Sequence, residues 1–285
     1  MNFNETLENI KKRIGIFNPN NLFTDDAKQL IAEKNEYQSF PVKCNNNVNN
    51  KLPSTDLELF EQAKIRFLTE QLREQKNLNQ IYKKTEENTK KQIIDKSSYH
   101  FNPIDEDWLT HYLECASKVS NEQMQNLWAK LLAGEIVNPK TFSKRTIDVL
   151  LLMNTEEAKL FEKISEYILS FGSNKAILRD TEFYTKFNLQ YSDIMNLGEC
   201  GLINPSGLIN MTFNKRAIII HYGNKVIIGN MPSDKSIKLD VFPLTTSGIE
   251  LYSIIKAKIN DPYIVAIKEY LEKKYNDVSF EISSF

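Results

Sequence analysis

The stretch from Asp105 to Val149 constrains the fold most, because it contains both tryptophans of the chain and a dense apolar periodicity. Its apolar side chains recur at the spacing of a helix with a wide buried face. They are Met124, Leu127, Trp128, Leu131 and Leu132. We therefore expect this helix to lie in the core of the protein, with the Trp128 indole fully enclosed.

Turn signals surround this helix. Ser120 is placed to cap its first turn, and Gly134 marks its end, since Pro139 shortly afterwards cannot continue a helix. Thr141 or Ser143 can then cap a second helix. The sequence therefore predicts two core helices joined by a glycine-containing turn.

Polar residues at the ends of these helices form the candidate site. Glu135 and Arg145 could form an ion pair that fixes the turn, and Asp107 could cap the helix that bears Trp108. Alternatively, the start of the second helix could bind a small anion or a partner, because it offers free backbone donors. The residues lining such a pocket would be Glu135, Ser143, Arg145 and Thr146.

The same segment resembles a family of bacterial proteins of unknown function. The shared pattern is Asp-Trp, then Ser-x-x-x-x-Gln-x-Leu-Trp-x-x-x-Leu-Ala-Gly-Glu, then Pro-x-x-Phe/Tyr-Ser-x-Arg-Thr. The matching residues are Asp107, Trp108, Ser120, Gln125, Leu127, Trp128, Leu132, Ala133, Gly134, Glu135, Pro139, Phe142, Ser143, Arg145 and Thr146. A second shared element, Arg-x-Gln-x-Asn, resembles Arg73, Gln75 and Asn77.

The resemblance implies a structural pattern and carries no catalytic residues. Its structural positions are Asp107, Trp108, Gln125, Trp128 and Gly134. Lys140 departs from the pattern, which more often has a glycine after the proline, so the turn can differ in shape here. The scattered occurrence of such families among bacteria fits a role in phage defence.

Length and charge exclude several classes of protein. A chain of 285 residues can form one large domain or two smaller ones, and its net charge of −1 excludes a globally basic nucleic-acid coat. Cys44, Cys115 and Cys200 are odd in number and far apart, which argues against a disulfide framework. No apolar run approaches the roughly 20 residues of a membrane span. We expect a soluble cytoplasmic protein.

The amino-terminal residues predict a short amphipathic helix. Its apolar stripe consists of Leu7, Ile10, Ile14 and Phe17. Docking on the protein's own core is favoured over an interfacial membrane helix, because one or two apolar turns give little membrane affinity. A second helix over residues 25–37 and a polar loop over residues 39–54 are expected to follow.

The residues from Pro53 to Ile94 predict the longest helix, since no glycine or proline interrupts them after Pro53. Unbroken, this helix would span roughly 60 Å. Its large apolar side chains lie mainly before residue 75, and Lys and Glu alternate over residues 75–87. We expect the amino-terminal half to be buried and the far end to be exposed or to pair with a second copy.

The carboxyl-terminal part predicts a winged-helix-like unit. Residues 191–203 resemble the second helix of such a unit, and residues 217–222 and 225–228, joined around Gly223-Asn224, predict a hairpin. The remaining expected elements are a helix over 155–169, a strand and helix over 242–251, a helix over 262–275 and an edge strand over 278–282.

These elements give a fold that is mainly α with a small α+β part. It has a helical core with one long helix and a carboxyl-terminal winged-helix-like unit with a β-hairpin. The expected segments are residues 1–52 with the first helices and a polar linker, residues 53–154 with the long helix and the tryptophan-containing core, and residues 155–285 with the winged-helix-like domain and a final helix.

Charge argues against DNA as the ligand of this unit. Residues 205–238 carry an excess of four positive charges, but the predicted recognition helix offers Asp193 and Glu199 and no Arg or Lys. Because contacts with phosphates supply most nonspecific affinity, acids facing the groove would weaken binding. Contacts with a protein partner or with a second copy are therefore favoured over DNA.

Motifs for catalysis are lacking. The sequence has no phosphate loop, dinucleotide glycine fingerprint or nucleophile elbow. His111, Glu114 and Cys115 could share one helix face, but such a spacing is more often incidental than metal-binding. We expect a binding or regulatory protein with no cofactor, metal or catalytic residue. The alternatives are a DNA-binding winged-helix regulator and a toxic effector enzyme such as a metal-dependent nuclease.

Overall fold

The computed structural model describes residues 3–15, 55–92, 102–205, 209–213, 217–231, 236–255 and 257–284. The helix expected over residues 25–37 and the loop expected over residues 39–54 lie outside these described residues, as do Phe17 and Cys44.

The elements are, in chain order, α1 (Phe3–Ile14), α2 (Asp56–Gln92), α3 (Glu106–Ala116), α4 (Glu122–Val137), α5 (Lys144–Leu152), α6 (Thr155–Ser165), β1 (Ile168–Phe171), β2 (Asn174–Leu178), α7 (Thr181–Lys186), α8 (Tyr191–Glu199), β3 (Ile209–Phe213), β4 (Ala217–Tyr222), β5 (Lys225–Asn230), β6 (Ile237–Pro243), α9 (Thr246–Ile254), α10 (Asp261–Lys274) and β7 (Ser279–Ser284).

The helical part is assembled around α4, which packs against α2, α6 and α9. Helix α1 packs on α2 and buries Leu7, Ile10 and Ile14, so this helix docks on the protein's own core as predicted. The apolar stripe of α4 is also buried, and Trp128 has no exposed surface. Leu127 is the exception, because it is only partly buried.

Side-chain caps define where several helices begin. Ser143 caps α5, as one of the two residues considered, and Asn154 caps α6 through a capping box with Glu157. Two predicted caps are wrong by one or two positions. Asn121 rather than Ser120 caps α4, and Asp105 rather than Asp107 caps α3.

The predicted end of α4 at Gly134 is also wrong. The helix continues to Val137, two residues before Pro139, and Gly134 lies inside it. A Cβ atom at Gly134 would come within 2.8 Å of Cε2 of the Phe142 ring. The glycine is therefore explained by the close approach of the Phe142 ring, which occupies the space that a side chain would need.

The predicted winged-helix fold is wrong. The described strands form one antiparallel seven-stranded sheet in the order β3-β6-β2-β1-β4-β5-β7, which is far larger than the expected small α+β part. The predicted hairpin exists as β4 and β5, with a two-residue connection at Gly223-Asn224. Because β4 also pairs with β1 and β5 with β7, this hairpin lies within the sheet and is not a free wing.

The β1–β2 hairpin was missed because its strands are only four and five residues long. The prediction placed Ile168 and Leu169 at the end of the preceding helix, because so short an apolar run is ambiguous between a helix and a buried strand. Helix α6 instead ends at Ser165. Helix α10 and the edge strand β7 lie close to their predicted positions.

Helix α9 links the sheet to the helical core. It follows strand β6 and packs on both α4 and α5. Its Gly248 lies against the backbone of Leu202, where a Cβ atom would overlap the Leu202 carbonyl oxygen. This close approach places the next turn of α9, with Glu250, beside the start of α5.

The predicted burial of the long helix is reversed. Helix α2 runs from Asp56 to Gln92, 37 residues within the predicted range from Pro53 to Ile94, but every residue from 55 to 73 is exposed. The carboxyl-terminal half is the packed half, with Asn77, Ile81, Tyr82, Thr85 and Thr89 buried. Across the described parts of the chain, no helix has both the length and the apolar character needed to cross a membrane.

Candidate functional site

Glu135 closes the turn between α4 and α5. Its side chain is buried, and its carboxylate accepts three backbone N–H groups of the turn. The N–H of Lys140 donates to Oε1 at 2.6 Å, and those of Thr141 and Phe142 donate to Oε2 at 3.1 Å each. The carboxylate therefore satisfies N–H donors that the tight turn before α5 would otherwise leave without acceptors.

Burial raises the pKa of the Glu135 carboxyl above its ordinary value. The three backbone donors lower this pKa, because they stabilise the charged form, and the neighbouring Glu250 carboxylate raises it. The direction of the net shift is upward, so removal from water outweighs the hydrogen bonds. Glu135 therefore stabilises the turn, although burial makes its charged form less favourable than it would be in water.

Glu250 of α9 occupies the start of α5. Its Oε2 accepts hydrogen bonds from the Ser143 backbone N–H at 2.8 Å, from the Ser143 hydroxyl at 3.1 Å and from the Thr146 hydroxyl at 2.5 Å. A carboxylate at a helix start is favourable, because the free N–H groups and the helix dipole attract negative charge. The donors at the start of α5 are therefore satisfied by a carboxylate of the protein itself.

Sequence reasoning missed Glu250 because 107 residues separate it from Ser143. Of the predicted pocket residues, Ser143 and Thr146 both bond to Glu250, whereas Arg145 does not join them. Arg145 is exposed, and among the described residues it has no ion pair or hydrogen bond, so the predicted pair with Glu135 is not formed. Asp107 is also exposed, with its carboxylate 3.9 Å from the Lys144 amine.

The aromatic residues of the pattern join α3 to α4. The rings of Trp108 and Tyr112 are stacked with centroids 5.3 Å apart, and Tyr112 is tilted against Trp128 at the same distance. The Tyr112 hydroxyl donates to the Trp128 backbone carbonyl at 2.9 Å. Because all three residues are buried, they act as packing between the two helices.

Buried amide side chains attach α2 to this core. The Gln125 amide donates to the Val119 carbonyl at 2.9 Å and to the Gln80 side chain at 3.1 Å. The Asn77 amide donates to the Ser117 carbonyl at 2.8 Å, and the Gln75 amide donates to the Ile14 carbonyl at 2.7 Å. These hydrogen bonds satisfy polar groups that burial would otherwise leave without partners.

Arg73, the first residue of the second shared element, does not contact the core. It is exposed and lies 3.4 Å from the Glu70 carboxylate on the same helix. Such an exposed pair contributes little to stability.

Lys140 has a left-handed backbone, with a φ of 71°. Side chains disfavour this region, whereas glycine adopts it readily. Lys140→Gly should therefore raise the free energy of unfolding by about 0.5–1 kcal/mol, after the greater freedom of glycine in the unfolded chain is subtracted. Urea denaturation would measure the change. A loss of stability would show that the lysine side chain stabilises the turn, and Lys130→Gly, within α4, is the control expected to destabilise.

Large apolar side chains are exposed along one side of the amino-terminal half of α2. Six large side chains, each between 52% and 72% exposed, lie within one half of the helix circumference. We call them the apolar face of α2. They are Leu57, Phe60, Ile65, Phe67, Leu68 and Leu72. Monomeric proteins rarely expose so many large apolar side chains in one patch.

A second cluster joins α3 to α5. His111 Nε2 lies 2.7 Å from Asp148 Oδ1 and 4.0 Å from Cys115 Sγ, and the ligand atoms of the three residues all lie within 4.8 Å of one another. The Glu114 that was considered with His111 is exposed and is not part of this cluster. Asp148 is the third residue of the cluster instead. The sequence alone could not show this, because Asp148 reaches His111 only through the packing of α5 on α3.

The fold and these sites define a protein with a helical core, a turn fixed by two carboxylates and a seven-stranded antiparallel sheet. The chain belongs to the family described as "Protein of unknown function (DUF2806)", whose model matches residues 61–268. No curated protein and no solved structure matches the chain. The family match confirms a family of unknown function, and the particular residue pattern stays a prediction.

Proposed function

We propose that this protein acts by binding rather than by catalysis, and that it works through protein–protein contacts made by the apolar face of α2. The observation that carries the proposal is the exposure of this face along 16 residues, from Leu57 to Leu72, which is about 24 Å of helix. Packing of these side chains against another protein surface would remove them from water, which is favourable.

The partner that best fits this face is a second copy of the same chain. Two opposite charges, Glu61 and Lys64, lie on the face among the apolar side chains, 3.8 Å apart. In an antiparallel pair with its two-fold axis midway between them, Glu61 of each copy is level with Lys64 of the other. The same axis sets Leu57 level with Leu68, so charged and apolar positions are both self-complementary.

The size of the face suits a reversible dimer. Burying six such side chains on each copy removes on the order of 1,000 Å² from water in total, near the lower limit for a specific interface. Association must also offset lost rigid-body freedom and side-chain ordering. We therefore expect a dimer that forms at about micromolar concentration rather than an obligate one.

Leu68→Asp should weaken this dimer by at least about 100-fold, because each copy loses a buried leucine and gains a charge. The matched control is Leu59→Asp. Leu59 has the same 52% exposure as Leu68 but lies nine residues earlier, two and a half turns away, and so projects from the opposite side of α2. Sedimentation velocity of the full chain over a concentration series would give both dissociation constants.

Exchange of the two charges tests the orientation. Glu61→Lys or Lys64→Glu alone should weaken the dimer, because each places like charges at the same level, and the double exchange should restore it. A chain that stays monomeric at 100 micromolar or more would contradict the proposal. A dimer that is equally weakened by Leu59→Asp and Leu68→Asp would also contradict it.

A further inference from the structure

Helices α3 and α5 place three different metal-ligand groups at one point. His111 and Cys115 lie one turn apart on α3, and Asp148 faces them from α5. The two helices run parallel in matched register, because Asp107 is beside Lys144 one turn before His111 meets Asp148. The cluster is therefore fixed by helix packing and does not depend on a loop.

We propose that His111, Cys115 and Asp148 bind a single divalent transition-metal ion of the zinc class. Zinc takes imidazole nitrogen, thiolate sulfur and carboxylate oxygen as ligands, at about 2.0–2.3 Å. Two ligand atoms at such bond lengths in a tetrahedral site are about 3.3–3.8 Å apart. The two distances to His111 Nε2, 2.7 Å and 4.0 Å, lie on either side of that range, and all three ligand atoms lie within 4.8 Å of one another.

The burial of the three groups fits one ion with an open position. The Cys115 side chain is buried, His111 is partly exposed and Asp148 is exposed, so the site opens from the interior toward solvent. Three protein ligands leave a fourth position for water, as in zinc sites that are not fully enclosed by protein. The mixed donor set favours zinc over magnesium or calcium, because thiolate is a soft ligand and those ions prefer oxygen.

The same geometry argues against a nucleophilic cysteine. Cys115 and Asp148 both approach Nε2 of His111, whereas a catalytic base needs one ring nitrogen for the nucleophile and the other for the acid. Burial also raises the pKa of the Cys115 thiol, and the Asp148 carboxylate adds to the rise. The thiol is therefore not activated on its own, and it loses its proton to water when the metal–sulfur bond forms.

Cobalt(II) added alone to the reduced full chain tests the site, because a thiolate-to-cobalt charge-transfer band reports coordination by sulfur. We expect one cobalt ion per chain, its displacement by zinc, and an upward shift of the melting temperature when zinc is present. Cys115→Ser should abolish the band, and His111→Asn and Asp148→Asn should each weaken binding by at least about tenfold.

Cys200→Ser is the matched control, because Cys200 is the other cysteine in the described part of the chain and follows α8, outside the cluster. The band should survive this change and Cys44→Ser. A chain that binds no cobalt at millimolar concentration would overturn the proposal, as would a band that persists in Cys115→Ser. Circular dichroism of each variant separates loss of the ligand from loss of the fold. Because His111 and Asp148 are both solvent-accessible, their asparagine variants should keep the fold.

Discussion

Glu135→Ala is expected to lower the free energy of unfolding by about 3–5 kcal/mol, measured by urea denaturation. The substitution removes the acceptor for three backbone N–H groups at once, and the turn that contains them packs against the buried Phe142. Each buried donor left without an acceptor costs about 1–3 kcal/mol. Because whole proteins are stable by only about 5–15 kcal/mol, one residue here supports a large fraction of the total.

The matched control for this change is Glu162→Ala on α6. Glu162 is exposed, and its side chain has no hydrogen bond or ion pair among the described residues, so its removal should change stability by less than about 0.5 kcal/mol. If Glu135→Ala is as mild as this control, the turn is not fixed by the carboxylate. A stable Glu135→Ala protein that no longer dimerises would instead assign this residue to binding.

The pH dependence of Glu135 can be isolated with Glu135→Gln. Since the folded pKa is raised, the folded protein binds more protons than the unfolded chain between the unfolded carboxyl pKa, about 4.3, and the higher folded pKa. The contribution of the protonated Glu135 to the free energy of unfolding is thus fully present below the unfolded pKa and is lost as the pH rises through the folded pKa. The free energy of unfolding of the wild type minus that of the Gln variant should therefore fall as the pH rises above about 4.3, whereas a difference that does not change with pH would contradict the upward shift.

Local signals in the sequence predicted local structure well. The periodicity of α4, the cap at Ser143 and the hairpin turn at Gly223-Asn224 each depend on residues close together in the chain. Residues that act across long sequence distances were not predictable in this way. Glu250 reaches the start of α5 only because α9 packs on it, and Asp148 reaches His111 only because α3 and α5 run side by side.

The reversed burial of α2 has a specific physical reason. An apolar stripe shows which side of a helix would gain from burial, but it does not show whether another element covers it. The packed half instead buries several small polar residues whose side chains have hydrogen-bond partners within the protein. Thr85 and Thr89 each donate to the carbonyl one turn earlier, and Asn77 donates to the α3–α4 connection. Hydropathy therefore placed the packing at the wrong end of the helix.

The sheet was underestimated for a related reason. Its strand order joins β1 and β2 to β4 and β6, which are 40 or more residues further along the chain. The β4–β5 hairpin is visible in the local sequence, but its pairing with the other strands depends on contacts that no short pattern encodes. A single wing and a seven-stranded sheet share the same β4–β5 signal, so the hairpin alone could not distinguish them.

Trp128→Ala is expected to cost about 3–5 kcal/mol, which is the range for deleting a fully buried aromatic side chain. Trp128 has no exposed surface and packs against Tyr112, which in turn stacks on Trp108. Its removal would therefore leave a cavity between α3 and α4. Because the Trp128 ring nitrogen has no hydrogen-bond partner among the described residues, Trp128→Phe loses packing but no hydrogen bond. It should cost less than half as much.

Leu152→Ala gives the comparison for a large apolar side chain outside the core, since Leu152 is 84% exposed. Its cost should stay below about 0.5 kcal/mol. Urea denaturation followed by circular dichroism measures all three variants, and Trp108 remains as a fluorescent reporter in both Trp128 variants. A cost below about 1 kcal/mol for Trp128→Ala would mean that the surrounding helices close the cavity, and that the tryptophan does not hold α3 and α4 together.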